Sequence, residues 1–197
     1  MIELITLVIL PMIFLIISML LTIILLDKLN ISNNIIIFFL NYFFPLFICL
    51  FIIPIIILKK QEKKLEYNEI LKINIRQTKN KISLLLLITV LIIMFNFNKI
   101  GNFNIMIFFI IAFFEEFYYR GVIYYKIKKI NLSIFSQILL NAIFFTFIAH
   151  NARSDISSYI YVFNAGIVLT FFRYYFDDLL IPILYHWIYN LITIISK

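Results

Sequence analysis

Residues 104–125 read NIMIFFIIAFFEEFYYRGVIYY, and they decide the fold. The stretch is apolar and long enough to cross a bilayer as a helix, for which about 20 residues suffice. It also carries Glu115, Glu116 and Arg120 in its interior. A charge at the bilayer centre costs at least ~2.5–3.5 kcal/mol, so such groups normally face a protected interior and mark function. Glu116 and Arg120 are four residues apart, one above the other on one helix face, where they can pair. Glu115 lies about 100° round the helix and addresses a different direction.

The rest of the chain is written for the same solvent. Of 197 residues, 64% are hydrophobic and 14% charged, with a mean hydropathy of +1.05. Soluble domains average about 45–50% apolar and about 25% charged. The expectation is an all-α polytopic transmembrane helix bundle of about seven spans, forming one membrane domain over residues 1–197. The apolar runs cover 5–26, 35–58, 82–97, 103–125, 132–149, 159–175 and 180–195, with Pro45 and Pro54 as kink points in the second. Glu3 precedes the first run, without Lys or Arg and without a small-residue cleavage pattern after it. That run therefore reads as a retained span and not a signal peptide. The single cysteine, Cys49, lies in an apolar run and is read as packing.

The net charge of +7 has a membrane explanation and does not call for nucleic acid. Loops 59–81, 126–131 and 173–179 hold twelve Lys and Arg, while Lys28, Lys99, Arg153 and Lys197 fall on the other side. This asymmetry places the N-terminus and the basic loops in the cytoplasm. Segment 59–81 is either an amphipathic helix along the interface or a solvated loop. Asp177 and Asp178 read as a solvated inner turn, Gly166 as a site of close helix packing, and Asn141 and Asn164 as interhelical hydrogen-bonders.

The two histidines are His150, ending the fifth run, and His186, inside the seventh. His186 and Asn190 are four apart and point the same way from their helix. Two imidazoles, an amide and two carboxylates on three helices can converge on one wet cavity within the bundle. Straight upright helices would spread Glu115, His150 and His186 over roughly 18 Å of depth. Convergence therefore requires helix five to start later than Leu132, with 126–135 lying along the interface.

These motifs resemble those of the CAAX-protease and bacteriocin-processing (CPBP, or ABI) intramembrane proteases. The first is Glu115-Glu116-Phe117-Tyr118-Tyr119-Arg120, followed by Gly121. The last is His186-Trp187-Ile188-Tyr189-Asn190, preceded by Pro182. In the middle motif the family usually has Phe four residues before His. Here Thr146 holds that position before His150, between Phe145 and Phe147. The resemblance covers 101–195 as a catalytic core, while 1–100 supplies N-terminal helices and the basic cytoplasmic loop 59–81.

The resemblance implies hydrolysis of a peptide bond in a membrane-associated or lipidated peptide or protein, in a multi-pass protein of the cell membrane. Glu115, assisted by His150, is the candidate base on a water. His186 and Asn190 are the candidate oxyanion donors, and Glu116 with Arg120 supports the site. Exchange of roles between Glu115 and Glu116 stays open. The favoured mechanism needs no metal or cofactor. The rival is a zinc site of Glu115, His150 and His186 with an open water position. Two further readings compete: a non-catalytic immunity or scaffold protein of the same fold, and a small proton-coupled carrier. The carrier reading lacks any internal repeat or paired broken helices.

Overall fold

The computed structural model describes residues 2–30, 33–62, 64–149 and 155–196. Among these residues it holds seven long helices and no strand. They are α1 (Ile2–Lys28), α2 (Asn34–Gln61), α3 (Ile75–Ile100), α4 (102–128), α5 (Ile134–Ile148), α6 (Ile156–Phe176) and α7 (Leu180–Ile195). By length and composition α1, α2, α6 and the segment Tyr67–Ile100 containing α3 can cross a membrane, while α5 and α7 are shorter apolar helices. The fold is an all-α membrane helix bundle.

Proline shapes α2. Each proline removes a backbone donor and crowds the carbonyl four residues earlier. The helix widens to π geometry over Phe39–Phe43 and Phe47–Ile52, the stretches that hold the carbonyls facing Pro45 and Pro54. Pro11, in the first turns of α1, is tolerated within one continuous helix.

Helix α4 is the axis of the bundle. Phe117, Tyr118, Tyr119, Val122 and Ile123 are fully buried. One face meets Leu4, Val8 and Met12 of α1, Leu46 and Leu50 of α2, Phe145 of α5 and Val162 of α6. Another meets Leu179 and Ile183 at the start of α7. Helix α7 also packs Ile181 and Leu184 on Ile82 of α3. Large apolar side chains along α1 and α3 point outward, including Phe14, Leu21, Leu84 and Leu87; they are dressed for lipid. Lipid tails are as apolar as leucine, so association in this solvent rests on close packing and polar contacts. Gly166 shows this. A Cβ there would stand 3.2 Å from the Cα of Ala142, so glycine lets α6 close on α5. Asn141 joins three helices, donating to the Tyr119 carbonyl at 2.8 Å and accepting from Thr170 at 3.0 Å. Asn164, in contrast, is exposed.

The inner end departs from the expected boundaries. Helix α3 begins at Ile75, so Arg76, Lys79 and Lys81 belong to it and not to a loop. Residues 64–74 form no long amphipathic helix and, Ile70 aside, are exposed or half-buried as a surface loop is. They make a single turn at Tyr67–Ile70 and fold back on α4, with Ile70 fully buried. The Ile70 carbonyl lies 3.2 Å from where a Cβ of Gly121 would stand, so α4 needs glycine at that contact. Helix α4 runs on to Lys128 and α5 starts at Ile134, capped by Ser133. Only 129–133, not 126–135, remains between them.

Asp178 corrects the reading of a solvated turn. It is fully buried and accepts from Asn74 N at 2.7 Å, Thr78 Oγ1 at 2.8 Å and Leu180 N at 2.7 Å. One carboxylate therefore caps the starts of α3 and α7 together, satisfying donors that a helix start leaves unmet. Asp177 beside it takes left-handed backbone (φ 49°), and pairs with Lys72 at 2.5 Å from a half-exposed position.

At the same end Lys126 reaches Glu3 at 2.7 Å and Glu62 at 2.8 Å, and Lys129 reaches Glu62 at 2.8 Å. The start of α1, the end of α2 and the end of α4 thus share one charged cluster. Hydrogen bonds from Lys126 and Lys129 hold the Glu62 carboxyl below the usual carboxylate range.

Two outcomes follow. Asp178→Ala lowers stability by about 3 kcal/mol or more, because buried donors lose a charged acceptor, whereas Asp177→Asn costs less than about 1 kcal/mol; thermal unfolding in detergent separates them. The Glu62 carboxylate stabilises the fold above its unfolded pKa of about 4.3, and that contribution is lost as pH falls through its lower folded value. The wild type therefore loses more stability than Glu62→Gln between about pH 5 and 3, read from parallel unfolding curves.

Candidate active site

The i,i+4 spacing on α4 does what it predicts. Arg120 Nη1 lies 3.0 Å from Glu116 Oε1, and both side chains have no exposed surface. The guanidinium is held on two further sides. Its Nη2 donates to the Gly166 carbonyl at 3.3 Å, and its carbon sits 4.1 Å from the Phe145 ring centroid. The carbonyl is reachable because Gly166 lets α6 approach. Arginine suits the place, since its planar fork can serve a carboxylate, a carbonyl and an aromatic face together.

Helix α7 brings the histidine. His186 Nδ1 is 2.7 Å from Glu116 Oε1, and His186 Nε2 is 3.8 Å from Glu115 Oε2. The two carboxylates, about 100° apart on an ideal helix, thus approach opposite nitrogens of one imidazole. A carboxylate only accepts, so the proton in the closer contact is on Nδ1. Phe145 stands edge-on to His186, with centroids 6.0 Å apart. Next to His186, Trp187 Nε1 donates to the Ile105 carbonyl at 3.1 Å, fixing α7 in register against α4. Asn190 lies one helical turn beyond His186 and is half-buried.

Immediately after Glu116 the helix turns π over Phe117–Ile123. Such segments are rare and cluster at functional sites. A second one, Phe145–Ala149, leads towards His150. His150 itself lies outside the described residues.

The surroundings differ between the carboxylates. Glu116 is fully buried between Arg120 and His186, whereas the Glu115 side chain keeps 15% of its surface exposed. Among the described residues, no three His, Cys, Asp or Glu side chains stand together as a metal cage. The guanidinium against Glu116 adds positive charge where a dication would need the opposite. The rival zinc set of Glu115, His150 and His186 includes His150, which lies outside the described residues.

The convergence that straight helices would forbid has a simple origin. Helix α7 starts inside the protein, at buried Leu179 and Asp178 under the loop 62–74. Six residues from its start is accordingly as deep as Glu115. Arg173 is a supporting residue that spacing alone does not reveal: Nε donates to the Arg120 carbonyl at 3.2 Å and Nη2 to the Glu69 carbonyl at 2.7 Å. Trp187 and Phe145 had a signal, each sitting within or beside a quoted motif, but their partners are tertiary.

A multi-pass helix bundle enclosing a carboxylate–histidine–arginine cluster defines a class of membrane protein with buried polar chemistry. Residues 99–192 match the family model described as type II CAAX prenyl endopeptidase Rce1-like, in support of the resemblance of the motifs to the CAAX-protease (CPBP) family. No curated protein and no solved structure matches the chain.

The pairing sets the expected cost of mutation. Arg120→Gln and Glu116→Gln each destabilise by about 3–5 kcal/mol, because each leaves a buried charge without its partner. Glu115→Gln stays within about 1 kcal/mol of wild type. Thermal melts of the purified variants check the contrast.

Proposed function

We propose that this protein is an intramembrane endopeptidase of the cell membrane, its N-terminus and basic loops cytoplasmic, that hydrolyses a peptide bond in a prenylated or otherwise membrane-tethered peptide. The observation that carries the reading is His186 held between Glu116 and Glu115 beside a fully buried Arg120. The match of residues 99–192 to a CAAX prenyl endopeptidase family supports the substrate class.

In this mechanism Glu115 is the base, since it is the carboxylate with surface left for a water. It takes a proton from that water, with His150 assisting, and the hydroxide oxygen bonds to the scissile carbonyl carbon. The resulting oxyanion accepts hydrogen bonds from His186 Nε2–H and the Asn190 amide. Glu116 holds His186 by Nδ1 and so orients Nε2 towards the oxyanion, while Arg120 pairs with Glu116. As the carbon–nitrogen bond breaks, Glu115 returns the proton to the leaving amine. The products are one new carboxyl and one new amine. No metal enters these steps.

The test is cleavage by the purified protein in nanodiscs, with peptides ending in S-farnesyl-cysteine, two aliphatic residues and methionine. Wild type cleaves, and a zinc chelator leaves the rate unchanged. Glu115→Gln lowers kcat by about 10²–10⁴, and Asn190→Ala lowers it by about 10²–10³. Loss of cleavage on chelation would replace this mechanism with a zinc-dependent one. A folded wild type that cleaves no tethered peptide would favour a scaffold role.

A further inference from the structure

The π-helical turn after the two glutamates is gripped from outside. A π turn takes one residue more into an α-helix, so the parts before and after it stand about 100° out of phase with a regular helix. On α4 the turn covers Phe117–Ile123. Before it stand Glu115 and Glu116, facing His186. After it come Tyr125 and Ile127, packed into the core. A regular helix through 117–123 could not serve both parts. With Tyr125 and Ile127 packed as they are, the two glutamates would swing about 100° away from His186.

The backbone alone does not settle this turn. At its end the Tyr124 N–H is shared between the Tyr119 and Gly121 carbonyls, five and three residues back. It passes over the Arg120 carbonyl, the acceptor four residues back that an α-helix would give it. Side chains of two other helices donate to consecutive carbonyls there. Asn141 Nδ2 of α5 donates to the Tyr119 carbonyl at 2.8 Å, and Arg173 Nε of α6 donates to the Arg120 carbonyl at 3.2 Å. Both side chains are fixed in turn. Thr170 Oγ1 lies 3.0 Å from Asn141 Oδ1, and Arg173 Nη2 donates to the Glu69 carbonyl at 2.7 Å. Asn141 and Thr170 have no exposed surface, and Arg173 is 4% exposed. Buried polar groups of this kind are costly inside a membrane bundle and mark function.

We propose that Asn141 and Arg173 are positioning residues for the reaction: they hold α4 in π register over 117–123 and so keep Glu115 and Glu116 turned towards His186. Neither touches the peptide in the mechanism above. Their effect on turnover rests on the endopeptidase reading, whereas their effect on the geometry does not.

Two readouts test this. The first is cleavage of the farnesylated peptide. Asn141→Leu strands no buried group, because Thr170 Oγ1 keeps the Gly166 carbonyl at 2.7 Å and the Tyr119 carbonyl keeps the Tyr124 N–H. It lowers kcat by about 10²-fold, the cost of an ångström-scale misplacement, and leaves KM within about twofold. Arg173→Leu behaves alike, and Arg173→Gln, which retains an amide donor, recovers about tenfold over it. The second readout needs no substrate. The chain has two histidines, so His150→Gln assigns the His186 Nδ1 proton in the NMR spectrum of ¹⁵N-histidine protein. Hydrogen-bonded to Glu116 at 2.7 Å, that proton resonates far downfield. In Asn141→Leu the signal is lost, while the melting temperature stays within about 3 °C of wild type.

If Asn141→Leu and Arg173→Leu fold and keep both the signal and kcat, the positioning role is overturned and the endopeptidase reading stands. A fall in kcat that tracks a collapsed melt, without recovery in Arg173→Gln, also overturns it, since that is a fold defect. If wild type cleaves nothing, the endopeptidase reading falls, and the imidazole signal alone decides whether the two residues set α4.

Discussion

A guanidinium with no exposed surface in the middle of an apolar bundle is the constraint on which the rest depends. Arg120 cannot lose its charge in a protein, and a lone buried charge is costly. The structure answers with one carboxylate, one backbone carbonyl and one aromatic face, from Glu116, Gly166 and Phe145. Each partner comes from a different place, so satisfying Arg120 brings α4, α5 and α6 together. Gly166 is glycine for this reason: the close approach that its missing Cβ allows also presents its carbonyl. Once Glu116 is fixed, its shared oxygen fixes His186, and α7 is placed as well.

This arrangement gives the two carboxylates different surroundings. One oxygen of Glu116 meets both Arg120 and His186. Glu115 contacts the same imidazole from the other side but keeps surface open. The π-helical stretch that follows them extends the same logic, since a widened turn re-aims neighbouring side chains without breaking the helix. The inner loop completes the architecture. By folding Ile70 onto Gly121, and by lending the Asn74 N–H to Asp178, it buries the start of α7 and lets a short helix deliver a histidine to mid-bundle depth.

Much of this was legible in the chain. The seven helices follow from apolar runs, and the Glu116–Arg120 pair follows from four-residue spacing. Gly166 and Asn141 behave as small and polar residues in a membrane bundle are expected to. The contact of His186 with both glutamates was not legible, because it depends on how deep α7 begins. Asp178 was misread for a related reason: an acidic pair at a polar turn looks solvated unless the loop from residues 62–74 is known to cover it. The α3 boundary was hidden likewise, since charged residues in the first turns of a helix look the same as a loop in hydropathy. His150 lies outside the described residues, and its role stands on the motif alone.

The central claim is that Glu115, and not its neighbour, activates water while Glu116 holds the frame. Chemical rescue tests it most directly. Glu115→Ala and Glu116→Ala would each be assayed for cleavage of the farnesylated peptide with increasing formate, a carboxylate small enough to enter the vacated space. The account predicts that formate restores measurable turnover to Glu115→Ala and none to Glu116→Ala. Rescue of Glu116→Ala, with Glu115→Ala unresponsive, would contradict it and exchange the two roles.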